Sequence, residues 1–424
     1  VNIKINFSGQ GKFDLSFIEP ALMFCTHLVY GYAGINPDTN KLVPLNEVFD
    51  VTKENYRHIT DLKRRYPGLR VLLSVGGNSD VSGEGSEKNL IYRTVLESVD
   101  KRLSFINSAK DIVKHYGFDG LDLAWEFPEN KPKKIRSGFK QFWVGLKHKI
   151  VGESTLDENA EEHKEQFIAL VRELRNNFRH DGLLLTLSVL PELYYDPRQL
   201  APHVDFVTLH AYDFYTPERN PKEADYTAPI YELIDRKPDE NGDYQVRYWL
   251  QQGCPNNKLV FGIPTYGRAW KMDDDSGLTG VPPLPIDGAA EAGPYTNEAG
   301  LLSYPEICTK IATPNEIKAG YLGKLRKSKR PNETIRYLYE NIGMFPIAML
   351  PNVMVGTYAY RLPKDDTAGI WVSFEDPDTA GQKASYVKAK GLGGVAIVDL
   401  TLDDFRGLCT GDKYPLLRAA KFRL

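Results

Sequence analysis

Long apolar runs are missing from this chain. No uninterrupted stretch approaches the roughly 20 residues that a membrane span needs, so no spanning helix is expected. A dominant charge sign is missing too: the formal net charge of −3 is too small to point to nucleic acid or a membrane surface as partner. Cysteine is scarce, and Cys25, Cys254, Cys308 and Cys409 include no CxxC pair, which argues against a zinc or redox site. With no metal cluster, phosphate loop or nucleophile–base motif in view, no cofactor and no metal is expected. The chain opens on Val1 with no basic-plus-apolar leader, as a processed secretory protein would, and as a trimmed chain also would. Two sequons, at Asn6 and Asn332, are glycosylation acceptors if the chain is exported. Together these features lean toward a secreted, extracellular protein, and a monomer is expected.

What is present is enough apolar material, 42% of 424 residues, for one large domain with an insertion or two. Strand-like runs at Val1–Phe7, His27–Ala33, Arg70–Val75, Gly120–Phe127, Leu183–Leu190, Val204–Asp213, Lys258–Thr265 and Gly394–Leu400 are rich in Val, Leu and Ile, which suits parallel strands buried on both faces. The stretches between them look helical. In one, Leu103, Ile106, Ile112, Val113 and Tyr116 form an apolar stripe and Gly117 follows as a stop. Eight such alternations predict an α/β fold closed into a (β/α)8 TIM barrel, with an open doubly wound sheet as the alternative. The dinucleotide-binding glycine fingerprint is absent after the first strand, which weakens that alternative. Two stretches break the rhythm: a charged insert at about 129–161, and residues 271–367, too long for a loop and read as a small inserted α+β domain. The barrel is then 1–270 and 368–424. The basic run Lys324–Arg330 in the larger insertion reads as a solvated face or as a contact for an acidic surface or polysaccharide.

The most informative segment is Phe118-Asp119-Gly120-Leu121-Asp122-Leu123-Ala124-Trp125-Glu126-Phe127-Pro128. Side chains alternate along a strand, so Asp122, Ala124 and Glu126 share one face, toward the barrel mouth. Acids among such apolar neighbours are costly to bury without a partner or a task, which favours a functional pair over a merely hydrogen-bonded structural one. This segment resembles the DxxDxDxE signature of the family-18 glycoside hydrolases, with Ala124 where the family has its third aspartate. Other pieces match in order: Ser74-Val75-Gly76-Gly77, Tyr212-Asp213, Gly262-Ile263-Pro264-Thr265-Tyr266-Gly267-Arg268, and Gly393-Gly394 through Asp403-Asp404-Phe405.

The resemblance implies a substrate-assisted mechanism, outside the two-carboxylate scheme. The family's glutamic acid protonates the glycosidic oxygen and the substrate's own acetamido group attacks the anomeric carbon. The third aspartate orients that group and balances its charge, while the Tyr-Asp pair assists. Carried over residue by residue, Glu126 is a vestigial acid, with Asp122, Tyr212 and Asp213 in the catalytic set. Tyr30, Trp125, His210 and Arg268 are assigned to the binding cleft. Ala124 removes a positioned charge, a class of loss worth around 3 kcal/mol. It also removes a like charge near Glu126, which lowers the pKa of that acid and favours the form that cannot donate. Asn78 and Val398 stand where the family has aromatic sugar platforms, which weakens stacking. His210 replaces a methionine, as a new polar contact or as a satisfied strand histidine.

Among non-hydrolytic relatives the chain is most similar to the insect imaginal disc growth factors, through Tyr30-Gly31-Tyr32-Ala33-Gly34, Asn130-Lys131-Pro132, the charged insert and Gly411-Asp412-Lys413-Tyr414-Pro415. That implies a secreted growth and migration factor with a cell-surface receptor, a chitooligosaccharide or other glycan as ligand, and loss of hydrolysis. Many of those proteins carry glutamine at the acid position, whereas Glu126 is kept here. The resemblance further implies a Cys308–Cys409 disulfide and leaves Cys25 and Cys254 as buried free thiols.

Overall fold

The structure, a computed structural model, describes residues 2–4, 10–77, 90–125, 159–191, 195–233, 236–277, 280–311, 326–328, 356–363 and 368–424. Asn6, Asn78, Glu126 and Asn332, the insert from 129 to 158 and most of the basic run Lys324–Arg330 lie outside the described residues. Each of the eight apolar runs contains a strand. They are β1 Asn2–Lys4, β2 His27–Ile35, β3 Arg70–Gly76, β4 Gly120–Ala124, β5 Leu184–Val189, β6 Phe206–Leu209, β7 Leu259–Pro264 and, last in the chain, β12 Gly394–Val398. Between β7 and β12 come β8 Tyr266–Met272, β9 Leu301–Ser303, β10 Thr357–Arg361 and β11 Gly369–Phe374. The main helices are α1 Asn55–Arg65, α2 Leu90–Leu96, α3 Val99–Tyr116, α4 Ala160–Arg179, α5 Gly242–Gln251, α6 Pro377–Lys390 and α7 Pro415–Arg423. The chain divides into two compact units, residues 29–65 with 70–207, and residues 1–28, 66–69 and 208–424.

In the first unit β3, β4 and β5 are parallel neighbours, and their register sets Ser74 beside Asp122 and Asp122 beside Thr186. Helix α3 ends as expected at Gly117, which takes the left-handed conformation with φ 77° that glycine adopts at little cost. Its buried face is not the expected stripe. Arg102, Phe105, Ile106, Ala109 and Val113 are buried while Leu103 is exposed, because the 3.6-residue period carries the apolar face through Phe105 and Ala109. The buried Arg102 is admissible because its guanidinium binds both oxygens of Glu173 on α4, at 3.0 and 3.1 Å, and the carbonyl of Leu96 at 2.7 Å.

In the second unit β7 and β12 pair in parallel from Val260/Gly394 to Pro264/Val398. A single residue, Thr265, separates β7 from β8, which opens a five-stranded antiparallel sheet in the order β9, β8, β11, β10 and a ribbon at Arg326–Ser328. This sheet starts at Tyr266 and closes at Phe374, so it is wider than 271–367 at both ends. Its core is aromatic: Trp270 and Trp371 lie 5.6 Å apart, and Tyr358 stacks on Trp371 at 5.4 Å. Both indoles donate to carbonyls, of Asn220 and Gly280, so no N–H is buried at a loss.

The Cys308–Cys409 disulfide is formed, across 101 residues with Cα atoms 5.7 Å apart. Cys25 and Cys254 are free, but Cys25 is only half-buried. The Asp403-Asp404 pair explains how the C-terminal end is held. Tyr414, which precedes α7, offers no side-chain cap, and Asp403 supplies one from outside by accepting from the amides of Leu416 and Leu417. Asp404 accepts from the amides of Leu408 and Cys409, shaping the turn that carries the disulfide.

Burial pushes the Asp403 carboxyl up to about 7, against the amide bonds that favour its charge. A folded-state pKa above the unfolded value means that the folded chain holds a proton which the unfolded chain releases between about 4 and 7. The contribution of Asp403 to stability therefore grows as pH falls through 7. His210, pushed down to about 4 by burial, acts with the opposite sign below about 6.5, so the readout is a difference between variants. Thermal unfolding of wild type and Asp403→Asn should show wild type gaining relative stability from pH 8 to pH 5. A constant difference across that range would refute the assignment.

Candidate functional site

The β3–β4–β5 register of the first unit builds one group of candidate residues. Asp122 on β4 is 1% exposed and is met by three hydroxyls on the flanking strands: Ser74 donates to Oδ2 at 2.8 Å, Thr186 to Oδ1 at 2.6 Å and Ser188 to Oδ2 at 3.0 Å. Burial raises its pKa and the three bonds oppose that rise. Such a network fixes a carboxylate in one orientation. One position further along the same face is Ala124, 4% exposed, a methyl group that neither accepts nor carries charge. Gly76, paired with Ala124, has φ 106°, and an added Cβ would stand 2.5 Å from the Ala124 carbonyl oxygen. The SxGG glycine is therefore required for β3 and β4 to approach at this point. Asp119, the first acid of the signature, lies before the start of the strand. It accepts from the amide of Val71 at 2.7 Å and pairs with Lys63 at 3.1 Å.

Two residues assigned to the cleft are elsewhere. Trp125 is buried on the opposite face of β4, as the two-residue period requires, stacked on Tyr92 at 5.2 Å and packed on Phe105 and Phe167. Tyr30 is 2% exposed, donates to Asp50 at 2.6 Å and meets Tyr56 edge-on; it belongs to the core. Tyr32 went unassigned. It is half-buried, with its ring so close to Gly77 that an added Cβ there would lie 2.6 Å from it. The sequence signal for it was an aromatic at the far end of a strand, beside the glycine pair.

The second unit carries a separate group of candidate residues. Strand β6 stops at Leu209, so His210, Tyr212 and Asp213 lie on the segment that follows, where Asp213 adopts φ 56°. Both Asp213 oxygens are taken: Arg268 binds Oδ1 through Nε at 3.0 Å and Oδ2 through Nη2 at 2.6 Å, and the Tyr266 hydroxyl donates to Oδ2 at 2.7 Å. Burial works against the Arg268 charge, but Asp213 outweighs it and holds the guanidinium above its usual pKa. Burial and the same carboxylate push Tyr266 well above the ordinary phenol value. His210 packs on the Tyr212 ring at 5.3 Å, and its Nε2 is buried with no partner among the described residues. With its pKa lowered to about 4 by burial, it is neutral at physiological pH. Val398 is half-buried against Pro264 in the β7–β12 pair, and its carbonyl accepts from Thr265.

Chemically, both described carboxylates of these two groups are engaged. Asp122 is saturated by hydroxyls, and Asp213 is neutralised by Arg268. The wall of the second unit, with a paired ion, two tyrosines and a neutral imidazole, suits a neutral hydroxyl- or amide-bearing ligand.

The family model "Glycosyl hydrolases family 18" matches residues 4–403. The chain is 53% identical to the chitinase-like protein Idgf4 of Glossina morsitans morsitans, over 98% of this chain and 90% of that one. Among solved structures it is similar to the second catalytic domain of a group II chitinase of Ostrinia furnacalis, with TM-score 0.75, 29% identity, and 98% and 92% of the two chains covered. It is also similar to human YKL-39, described as a pseudo-chitinase with retained chitooligosaccharide binding properties, with TM-score 0.72, 26% identity, and 98% and 95% covered.

Proposed function

The chain belongs to glycosyl hydrolase family 18, with the barrel fold of the chitinases, and we propose that it is a secreted chitinase-like growth factor whose chitinase site no longer hydrolyses. The observation that carries this reading is Ala124 beside a locked Asp122. Substrate-assisted cleavage needs a carboxylate that orients the acetamido group and balances its positive charge. Position 124 has none, and Asp122, held by Ser74, Thr186 and Ser188, would have to break three hydrogen bonds to substitute. Glu126 is left as an acid without its partner. Export, glycosylation at Asn6 and Asn332, a monomeric state and a cell-surface receptor belong to the same reading. It draws support from the Idgf-named relatives.

A second reading, a chitooligosaccharide-binding lectin, is favoured by the neutral wall of Tyr212, His210 and Tyr266 and by the retained binding described for YKL-39. The deciding measurement is turnover of a fluorogenic chitooligosaccharide with Glu126→Gln as the blank, alongside a cell-growth assay of both proteins. Turnover equal to the blank together with a growth response that survives Glu126→Gln is the expected result. Turnover at the level of a hydrolytic relative would overturn the reading. Saturable oligosaccharide binding with no cell response would favour the lectin.

A further inference from the structure

The ends of α1, α3 and α4 in the first unit carry a charge pattern that the cleft does not explain. Around them lie Lys53, Arg57, Lys63, Arg64, Arg65, Arg70, Lys110, Lys114 and Arg179, with His58, His115 and His180, against Glu54, Asp61, Asp111, Asp119 and Asp181. Nine permanent cations face five carboxylates, whereas the whole chain has a formal charge of −3. Side-chain contacts tie much of this into one surface. Arg57 lies 3.0 Å from the Nε2 of His115 and covers the Tyr116 ring. Lys63 reaches the Gly117 carbonyl at 2.6 Å and Asp119 at 3.1 Å, and Arg70 shares that carboxylate at 3.5 Å. Lys110 and Lys114 share Asp181, each at 2.6 Å, and hold its carboxyl down at about 2.

Basic residues at helix C-termini offset the dipole, and Lys63 on the last carbonyls of α3 does that. The dipole accounts for less of the rest. Arg57 sits in the first turn of α1, where a cation is unfavourable, and its side chain meets the His115 imidazole. Asp119 and Asp181 each serve two cations, which leaves a net positive charge on both pairs. We propose that this face binds a linear sulfated polysaccharide. Adjacent helix axes lie about 8–10 Å apart, so three helix ends give a row of cations about 20 Å long, and arginine forks bind sulfate oxygens in pairs. A membrane fits less well, because insertion into lipid needs apolar side chains and the large hydrophobic side chains exposed among the described residues include none on this face.

The test is binding of the full-length protein to immobilised heparin at about 0.15 M salt, compared with Arg57→Ser/Arg64→Ser/Arg179→Ser. These are exposed positions where substitution changes folding stability little. Wild type should be retained and released by added salt, and the triple variant should bind at least ~10-fold more weakly, at an unchanged melting temperature. Lys222→Ser, an exposed cation of the second unit, should bind like wild type. Three results would each overturn the proposal: no retention of wild type, equal retention of the triple variant, or equal binding to a DNA duplex or to anionic lipid vesicles.

Discussion

Ala124→Asp should raise chitooligosaccharide turnover about 100-fold above the wild-type floor, and Glu126→Gln in the same background should abolish the gain. The size follows from the preorganised charge that the substitution restores, around 3 kcal/mol of transition-state stabilisation. The background favours the experiment. Gly76 already permits the close approach of β3 and β4 at this position, and Asp122 is fixed by its three hydroxyls, so the new carboxylate enters beside a partner that will not collapse onto it. A second carboxylate on the same face also makes ionisation of Glu126 harder, so the alkaline limb of the pH profile should lie at higher pH than in any residual wild-type activity. An unchanged rate would show that Ala124 is not the lesion, and would move attention to Asn78 and Val398, where the family resemblance expects aromatic sugar platforms.

Breaking the Cys308–Cys409 bond should cost about 4 kcal/mol of stability. Closing a loop of about a hundred residues removes that much freedom from the unfolded chain in the loop-entropy account. The folded state adds a second cost, because the Cys409 amide is one of the two donors that Asp404 accepts, so a turn that loosens leaves a buried carboxylate short of partners. The check is denaturant unfolding of Cys308→Ser/Cys409→Ser against wild type, with wild type also measured in reductant. A midpoint unaffected by either treatment would contradict the expectation.

How much was legible beforehand follows the physics of each feature. The eight strands could be read because buried parallel strands need continuous apolar runs, and only their ends moved. The Asp122–Ala124 face could be read from the two-residue period. That same period places Trp125 on the other side, where it is found, so its assignment to the cleft failed against a rule already in use. Tyr30 failed for another reason: an aromatic on a strand reads the same whether it lines a mouth or meets a buried partner such as Asp50, and that partner lies twenty residues away. Ser74 was noticed within its motif, but Thr186 and Ser188 were not, although two hydroxyls alternating in an apolar strand mark a polar row on its inner face. The bidentate Arg268–Asp213 pair joins residues 55 apart, and no local pattern announces it.

The single residue between β7 and β8 bears on engineering. Leu259–Pro264 runs almost without pause into Tyr266–Met272, and the first side chains of that second strand, Tyr266 and Arg268, are the ones that hold Asp213. The inserted sheet therefore has no hinge at its entry and cannot be exchanged like a cassette. A chimaera cut after Met272 would keep the recipient's own grip on the aspartate. One cut before Tyr266 would transplant the grip with the sheet, and only if the recipient presents its aspartate with the same left-handed backbone would the two still meet.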